Sequence, residues 1–277
     1  MNVLVTGAGS VMGQSIYKAL AINDFGEQIK IHFANSNTLG AGRYFSHPSA
    51  LVVSTPIFPL AASDEYSEFL NQYVNENKID IVFSGTQHEL CKITKFRDRT
   101  LKAATVSSRI ASICMDKVKT YSVLQHHKVP MPKTCRLDEY INEKCPIEGA
   151  LILKPNYSSS SRNIFRMDGR RAVKKLLTDG VVNVNNFLAQ ELICGEEYTC
   201  GLYIDRYTKD INCISFKRTL TPDGATFYGE IVENLEINNY LAIVGRALLE
   251  EGKISSSPQC VTICEMYFYL LSKVIYC

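Results

Sequence analysis

The rhythm of the apolar segments changes near residue 112, and this change limits the fold more than any other feature of the sequence. Before it, short apolar runs at 2–6, 29–34 and 79–83 predict strands, and the patterns at about 14–21 and 66–77 predict helices. Strands that alternate with helices form parallel sheets, because a parallel pair needs a long crossover connection. Residues 1–112 are therefore predicted to form an open α/β domain.

After residue 112 the predicted strands follow one another more closely. An apolar strand at 150–154 is followed by a serine-rich turn and a second strand at 163–167. Apolar residues then alternate along 197–205 and 210–218, which predicts an antiparallel hairpin. A helix predicted at 237–251 carries one apolar stripe, with Gly252 as a candidate C-cap. This pattern is typical of an α+β domain, so the chain is predicted to have two domains, 1–112 and 113–277.

Composition and charge exclude several classes of protein. The chain is 46% hydrophobic and 21% charged, which is ordinary for a globular protein and argues against a disordered or fibrous one. A net charge of +2 gives no basic excess, so no nucleic-acid partner is expected. The apolar stretch at 261–277 is shorter than the roughly 20 residues that cross a bilayer, and Glu265 and Lys273 interrupt it, so no membrane anchor is expected.

The cysteines are numerous but irregularly spaced. There are ten of them, and none forms the C-x-x-C pair of a zinc ribbon. The sequence opens directly into a predicted strand, without the basic segment and cleavage site of a signal peptide. Reduced thiols, no disulfide framework and a cytoplasmic location are therefore expected.

A glycine turn joins the first predicted strand to the first predicted helix. Gly7, Gly9 and Gly13 stand where a helix N-terminus can bind phosphate. A dinucleotide site also needs an acidic residue about 20 residues later to hold the ribose, but the second predicted strand ends in Asn35 and Asn37. A tight turn that packs the helix onto the sheet is therefore favoured over an NAD site, and a small-anion site is the intermediate alternative.

Three polar segments stand where packing alone does not favour them. Lys117 begins a predicted helix, where the helix dipole disfavours a cation unless an anion binds. Lys154 ends a buried strand before a loop of small residues, whose N–H groups can face an anion. The segment 190–193 joins two predicted strands, so some of its backbone N–H and C=O groups have no partner in a sheet. Such groups can form hydrogen bonds with the polar edge of a flat base. Each segment also has an ordinary explanation, namely a solvated lysine, a hairpin turn and an exposed edge turn.

Taken in order, these segments resemble the ATP-grasp enzymes. The similar motifs are MDK at 115–117, VPMPKT at 129–134, LKPNYSSSSR at 153–162 and QELICGEEYT at 190–199. They are most similar to stand-alone proteins that resemble the ATP-binding half of the carbamoyl-phosphate synthase large subunit, and the likeness covers about residues 1–252. The resemblance implies a Rossmann-like pre-ATP-grasp domain followed by an α+β ATP-grasp domain, with a small lid lobe at 113–191 and a large lobe at 192–277.

The resemblance also implies a role for each matching residue. Lys117 and Lys154 would hold the phosphates of ATP. The hinge that reads adenine would consist of Gln190, Glu191, Leu192 and Ile193, acting through backbone groups of Glu191 and Ile193. Glu197 would bind the ribose, and Arg218 would be the catalytic residue facing the transferred phosphate. A mobile loop over the phosphates would consist of Ser158, Ser159, Ser160, Ser161 and Arg162, although the family's loop is usually rich in glycine.

The implied activity is that of an ATP-dependent carboxylate–amine ligase. A substrate carboxylate would form an acylphosphate, and an amine would then displace phosphate, so the expected partners are a small carboxylate and a small amine. Dimers are frequent in the family, which leaves a homodimer open. Two alternatives remain, a nucleotide-binding module without turnover and, less favoured, a Rossmann-type oxidoreductase.

The metal motif of the family is not matched at the end of the sequence. In this family a Glu-x-Asn strand holds the magnesium ions that bridge the phosphates. Here Gln259 is the one candidate ligand, and the alternative register places Tyr267 after Glu265 where the asparagine should be. The sequence therefore predicts an incomplete large lobe, magnesium binding that is in doubt, and a chain that is catalytically impaired as written.

Overall fold

The structure, a computed structural model of the 277-residue chain, describes residues 1–22, 28–100, 102–157, 163–196, 198–205, 208–221, 226–252 and 261–264. The chain divides into two compact units. The first begins at Met1 and the second at Ser112.

The first unit is built on a parallel four-stranded sheet. Its strands are β1 (Asn2–Val5), β2 (Ile29–Phe33), β3 (Ala50–Ser54) and β4 (Ile81–Phe83), in the order β3-β2-β1-β4. The helices along this part of the chain are α1 (Val11–Ile22), α2 (Tyr66–Glu76), α3 (Gln87–Thr100) and α4 (Ser108–Met115), and a short 3-10 helix spans Ala41–Tyr44. The predicted open α/β arrangement is confirmed.

Both faces of the parallel sheet are buried. Side chains alternate across a strand, so Val3 and Val5 of β1 pack in one cluster with Tyr17 of α1, whereas Leu4 packs in the opposite cluster. Leu70 of α2 and Ile93 of α3 belong to that second cluster. Helices on both faces are what a parallel sheet requires.

The second unit contains a small antiparallel sheet in its N-terminal part. The chain passes through α5 (Lys117–His126), β5 (Thr134–Arg136), α6 (Leu137–Ile141), β6 (Leu151–Pro155), β7 (Phe165–Met167), α7 (Arg170–Thr178) and β8 (Phe187–Glu191). The strand order is β5-β8-β6-β7. On one face, Leu151, Leu153 and Ala189 pack against Tyr140 of α6 and Val173 of α7. Because side chains alternate, the intervening positions lie on the other face.

A second antiparallel sheet follows. It consists of β9 (Tyr198–Ile204), β10 (Ile211–Leu220), β11 (Thr226–Val232) and β12 (Val261–Cys264), in the order β11-β10-β9-β12. Helix α8 (Leu235–Gly252) contacts β9 and β10 and buries Ile237, Leu241, Val244 and Leu248. The predicted hairpin of β9 and β10 and the predicted apolar stripe of α8 are confirmed. None of the helices within the described ranges is both long enough and apolar enough to span a bilayer.

One expectation about the cysteines is wrong. Cys135 of β5 and Cys145, after α6, form a disulfide whose Cα atoms are 6.4 Å apart, within the usual range. Their thiols were expected to be reduced because the cysteines are irregularly spaced and no signal peptide was recognised, and the sequence does not show that these two, ten residues apart, lie close together. The turn made by α6 brings the second cysteine back beside β5. Among the other described cysteines, Cys194, Cys200 and Cys213 are free thiols.

Candidate functional site

The start of helix α5 is fastened to the end of strand β6. Asp116 is the N-cap residue, and its carboxylate accepts hydrogen bonds from the Lys119 N–H (3.0 Å), the Asn156 amide (3.1 Å) and the Tyr157 hydroxyl (2.6 Å). Burial favours a higher pKa for Asp116, but these hydrogen bonds outweigh burial and lower it. The amide oxygen of Asn156 in turn accepts from the Val118 N–H at 3.1 Å. The carboxylate and the amide together satisfy the first backbone donors of the helix.

Lys117 is held at this junction. Its ammonium donates to the backbone oxygen of Asn156 at 3.0 Å, so the side chain turns towards the end of β6 rather than into solvent. Burial lowers the pKa of Lys117, and the nearby Asp116 carboxylate opposes that effect. The explanation of Lys117 as an ordinary solvated lysine is therefore not supported by the geometry.

Lys154 lies beside Lys117 and is the more strongly perturbed of the two cations. Its ammonium donates to the side-chain oxygen of Gln190 at 2.8 Å, and no carboxylate pairs with it in the part of the chain that the structure describes. Burial, together with the charge of Lys117, lowers the pKa of Lys154 to about 8. Lys154 is only partly exposed. A cation that is largely removed from water with a neutral partner costs stability unless a further ligand compensates it.

The strand register explains why Lys154 and Gln190 meet. Gln190 of β8 lies opposite Ile152 of β6, and Lys154 lies two residues further along β6. Residues two apart in a strand share a face, so Lys154 is the diagonal neighbour of Gln190. Thr134 of β5 lies opposite Gln190 on its other side. The three polar side chains therefore share the face that turns away from α6 and α7.

The predicted hinge follows directly after Gln190. The N–H of Glu191 donates to the backbone oxygen of Lys133 (2.9 Å), and the N–H of Leu192 donates to the backbone oxygen of Ala150 (3.2 Å). Both N–H groups are therefore engaged in hydrogen bonds within the protein. The carboxylate of Glu191 accepts from the Lys133 N–H at 3.3 Å. Among the described residues, the N–H of Ile193 has no hydrogen-bond partner. The predicted adenine-reading role of Ile193 is thus compatible with the geometry, whereas the N–H of Glu191 is already engaged.

The space around the glycine turn of the first unit is occupied by atoms of the protein itself. Gly7 has a φ of +60°, and a Cβ on Gly13 would clash with the Gly7 backbone oxygen. The N–H groups of Ala8, Ser10 and Gly13 donate to Ala34, Gly7 and the Ser10 hydroxyl, and that hydroxyl donates to the Gly85 oxygen at 2.6 Å. These contacts support the tight-turn explanation that the sequence favoured.

A polar cluster next to this turn was not predicted. The buried carboxylate of Glu89 accepts hydrogen bonds from the hydroxyls of Thr6 (2.8 Å), Tyr66 (2.9 Å) and Thr86 (2.7 Å). Burial, and then the Glu89 charge, raises the pKa of Tyr66. The partners come from β1, α2 and the loop before α3, so the cluster joins distant parts of the first unit. Neither an element nor a role was predicted from the sequence for the segment that contains Glu89.

Comparison of the sequence with known protein families identifies one match. Residues 114–239 match the family described as the ATP-grasp domain. The chain contains an ATP-grasp domain. This segment includes Lys117, Lys154, the hinge at 190–193 and Arg218, and apart from residues 205–209 it belongs to the second unit. The specific similarity to carbamoyl-phosphate synthase is not established by this match. No curated protein sequence is similar enough to the chain to match it.

Solved structures with similar folds are ATP-grasp ligases. The L-amino acid ligase of Bacillus licheniformis has 15% identity and a TM-score of 0.65, over 89% of this chain and 60% of its own. The N5-carboxyaminoimidazole synthetase of Staphylococcus aureus, solved with ADP, has 9% identity and a TM-score of 0.68, over 95% and 70%. The D-alanine–D-alanine ligase of Bacillus anthracis has 16% identity and a TM-score of 0.57, over 90% and 79%. At these identities the likeness shows the fold alone.

The chain therefore spans only 60% of the length of the L-amino acid ligase. Several predicted residues of the ATP-grasp site lie outside the described residues, namely Ser158, Ser159, Ser160, Ser161, Arg162, Glu197 and Gln259. Arg218 is described and lies in β10 of the other sheet, opposite Gly229. The structure brings together Lys117, Lys154 and Gln190, and the roles of all these residues stay predictions.

A magnesium site can be tested only in part. Magnesium takes hard oxygen ligands, usually carboxylates together with the phosphates of the substrate. The described residues contain no group of three or more acidic, histidine or cysteine side chains that could hold a metal ion. The described part of the ATP-grasp domain therefore does not fit a metal centre made by the protein alone, and the predicted ligand Gln259 falls outside that part.

Proposed function

We propose that this chain binds ATP in its ATP-grasp domain and is of the carboxylate–amine ligase type, which acts through an acylphosphate, with the impaired turnover that the sequence predicts. The observation that carries the proposal is the pair of neighbouring cations, Lys117 and Lys154, at the junction of α5 and β6. Lys154 is partly buried with a neutral amide as its partner, and a polyphosphate would supply the missing negative charge.

Each part of the site has a distinct task in this proposal. The two ammonium groups neutralise phosphate oxygens and fix the position of the triphosphate. The N–H of Ile193 donates to the polar edge of adenine, Glu197 accepts from the ribose hydroxyls, and Arg218 faces the phosphoryl group that is transferred. These tasks require positioning and charge rather than a nucleophilic side chain.

The proposed reaction has two steps. In the first, a carboxylate oxygen of the substrate bonds to the γ-phosphorus of ATP while the bond between that phosphorus and the bridging oxygen breaks, giving an acylphosphate and ADP. In the second, the nitrogen of a neutral amine bonds to the acyl carbon and inorganic phosphate leaves. The amine loses one proton, so the products are an amide, ADP and phosphate. No residue is assigned to a metal ion, because the described residues contain no group of three or more acidic, histidine or cysteine side chains and the predicted ligand Gln259 lies outside them.

The same cation pair would also serve a module that binds nucleotide without turnover. This second candidate is favoured by the geometry of Lys117 and Lys154, which involves no metal ligand. The two functions differ in turnover and not in nucleotide binding.

Two measurements test the proposal in sequence. Isothermal titration should show that the protein binds ATP and ADP and does not bind NAD. Binding of NAD without binding of ATP would contradict the proposal. Phosphate release from ATP, across a panel of small carboxylates and amines, should then rise only when both substrates are present. ATP binding with no release over the whole panel would favour the non-catalytic module.

A further inference from the structure

We infer that Thr134 and Gln190 form a hydrogen-bond relay that positions the ammonium of Lys154, with the Pro132 carbonyl as its fixed end. The inference rests on the proposed function in one respect, since the positioned ammonium is taken to contact a phosphate of the nucleotide. It assigns Thr134 a role in that site and gives the side chain of Gln190 a role different from a contact with adenine.

The polarity of the relay is determined by its two ends. The Thr134 oxygen lies 2.9 Å from the Pro132 oxygen, and a carbonyl can only accept, so the hydroxyl must donate there. The Thr134 oxygen must therefore accept from Gln190, whose amide nitrogen lies 2.7 Å away. At the other end an ammonium can only donate, so Gln190 must present its oxygen to Lys154, at 2.8 Å. Flipping the amide would place donor against donor at the lysine end.

Because Thr134 and Gln190 are buried, losing one hydrogen bond of the relay should cost free energy. Thr134 is 5% exposed and Gln190 is 6% exposed, so water has little access to replace a lost partner. A buried polar group without its hydrogen bond costs more than the bond itself contributes. The rigid frame is the sheet, because Thr134 and Gln190 lie directly opposite each other in β5 and β8.

The relay leaves most of the lysine's donors for a ligand. One of the three ammonium N–H groups donates to Gln190, and the described residues provide no other partner for Lys154. Among the described residues, the Lys117 ammonium acts on the charge of Lys154, and the Asp116 carboxylate at the start of α5 acts in turn on Lys117. Gln190 holds the side chain through a neutral amide and so does not neutralise its charge. Burial and the charge of Lys117 lower the pKa of Lys154 to about 8.

The first arm of the test uses no nucleotide. The pKa of the Lys154 ammonium is measured by NMR in the parent, Gln190→Met, Thr134→Val and Thr134→Ser proteins, with the signal assigned by its loss in Lys154→Met. We expect the pKa to fall in Gln190→Met, which lacks the acceptor, and to fall less in Thr134→Val, which frees the amide to rotate. Thr134→Ser retains the hydroxyl and should match the parent. An unchanged pKa in both Gln190→Met and Thr134→Val would overturn the relay.

The second arm measures ADP affinity by titration in the same proteins. Thr134→Val should weaken ADP binding about five- to tenfold, the effect of one buried hydrogen bond, and Thr134→Ser should restore it. Thr178→Val, at an exposed threonine of α7, is the matched control and should bind like the parent. Urea unfolding of each variant separates a loss of fold from a loss of positioning. Equal ADP affinity in Thr134→Val and Thr134→Ser would contradict the relay.

The two arms fail independently. If the pKa of Lys154 responds as expected but the parent protein does not bind ADP, the relay stands and the proposed nucleotide function is wrong. If the parent binds ADP while the pKa of Lys154 is insensitive to Thr134 and Gln190, the function stands and the relay is wrong.

Discussion

The glycine turn at Gly7–Gly13 and the cation pair of Lys117 and Lys154 both resemble phosphate sites in the sequence, but their structures differ in one respect. In the turn, the N–H groups of Ala8, Ser10 and Gly13 are bonded within the protein, and the space beside the glycines is occupied by backbone. In the cation pair, Lys154 is partly buried against a neutral amide, and burial together with Lys117 lowers its pKa. The turn is explained by packing alone, whereas the buried charge is not.

The difference shows what separates a structural motif from a binding one. A glycine motif that fills its own space and satisfies its own donors needs no ligand. A charge held in a buried position at a cost in stability indicates a partner that the chain itself does not supply. Substitutions in the two regions should therefore affect different quantities.

The largest expected effect comes from Lys154→Met. Losing the ammonium should weaken ATP binding by about 1.5–3 kcal/mol, the range for a hydrogen bond to a charged group. The ligand-free protein should become more stable, by about 1–3 kcal/mol at pH 7, because the folded state no longer buries a charge whose pKa is lowered from 10.5 to about 8. Titration with ATP and urea unfolding measure the two effects.

Lys174→Met is the control for that substitution, because Lys174 is an exposed lysine of α7. It should change neither ATP affinity nor stability appreciably. A Lys154→Met protein that is less stable than the parent and binds ATP equally well would show that Lys154 is a structural lysine.

Gly85→Ala should have the opposite profile. A Cβ on Gly85 would clash with the backbone oxygen of Thr6, so the variant should lose about 1–3 kcal/mol of stability, as overpacked positions do. ATP affinity should stay within about twofold, an effect below roughly 0.5 kcal/mol. Gly9→Ala is the control in the turn that Gly85 packs against, since its Cβ would lie 3.2 Å from the Asn35 side-chain amide and 3.5 Å from the Gly40 Cα, without a backbone clash. Weaker ATP binding by a stable Gly85→Ala protein would return the turn to the list of ligand sites.

ATP affinity should depend on pH through Lys154. Its folded-state pKa of about 8 lies below its ordinary value, so raising the pH removes the charge that phosphate needs. Between pH 7.5 and 9 the charged fraction falls about eightfold, which sets the largest loss of affinity that this group can cause. Stability should change in the opposite sense, rising between pH 8 and 10.5, because the unfolded chain then binds the extra proton. Lys154→Met should flatten both profiles, and an unaltered pH dependence of ATP affinity in that variant would contradict the assignment.

Lys117→Met should have the smallest effect. Lys117 is less perturbed than Lys154 and lies next to Asp116, so its removal should weaken ATP binding only about three- to fivefold. It should also raise the pKa of Lys154, because the neighbouring cation is one of the two causes that lower it. NMR titration of Lys154 in this variant checks the direction, and an unchanged pKa would mean that the two ammonium groups do not interact.

Much of the fold could be predicted from the sequence. Periodicity indicated β1, β2, α2, β9, β10 and the stripe of α8, because each element has one clear apolar pattern. Helix α3 was missed because it is rich in charged residues and buries Glu89 and Arg97 beside Ile93 and Phe96. The disulfide and the Glu89 cluster were missed because both depend on contacts between segments, which local patterns do not encode.

The candidate site was predicted in its residue types and not in its geometry. Lys117 and Lys154 were recognisable because a cation at a helix start and another at the end of a buried strand are locally unfavourable. The link from Thr134 through Gln190 to Lys154 depends on the register of three strands, β5, β8 and β6, that are separated in sequence. No local pattern indicates that register, so Gln190 was assigned to the hinge and Thr134 received no role of its own.

The most direct test of the central claim is the pKa of the Lys154 ammonium, measured by NMR without ligand and with saturating ADP. We expect a value of about 8 in the free protein. With ADP bound we expect a rise of at least about one unit, because an anion within about 4–6 Å favours the charged form. ADP binding that leaves the pKa of Lys154 unchanged would contradict the claim that this buried charge is held for a phosphate.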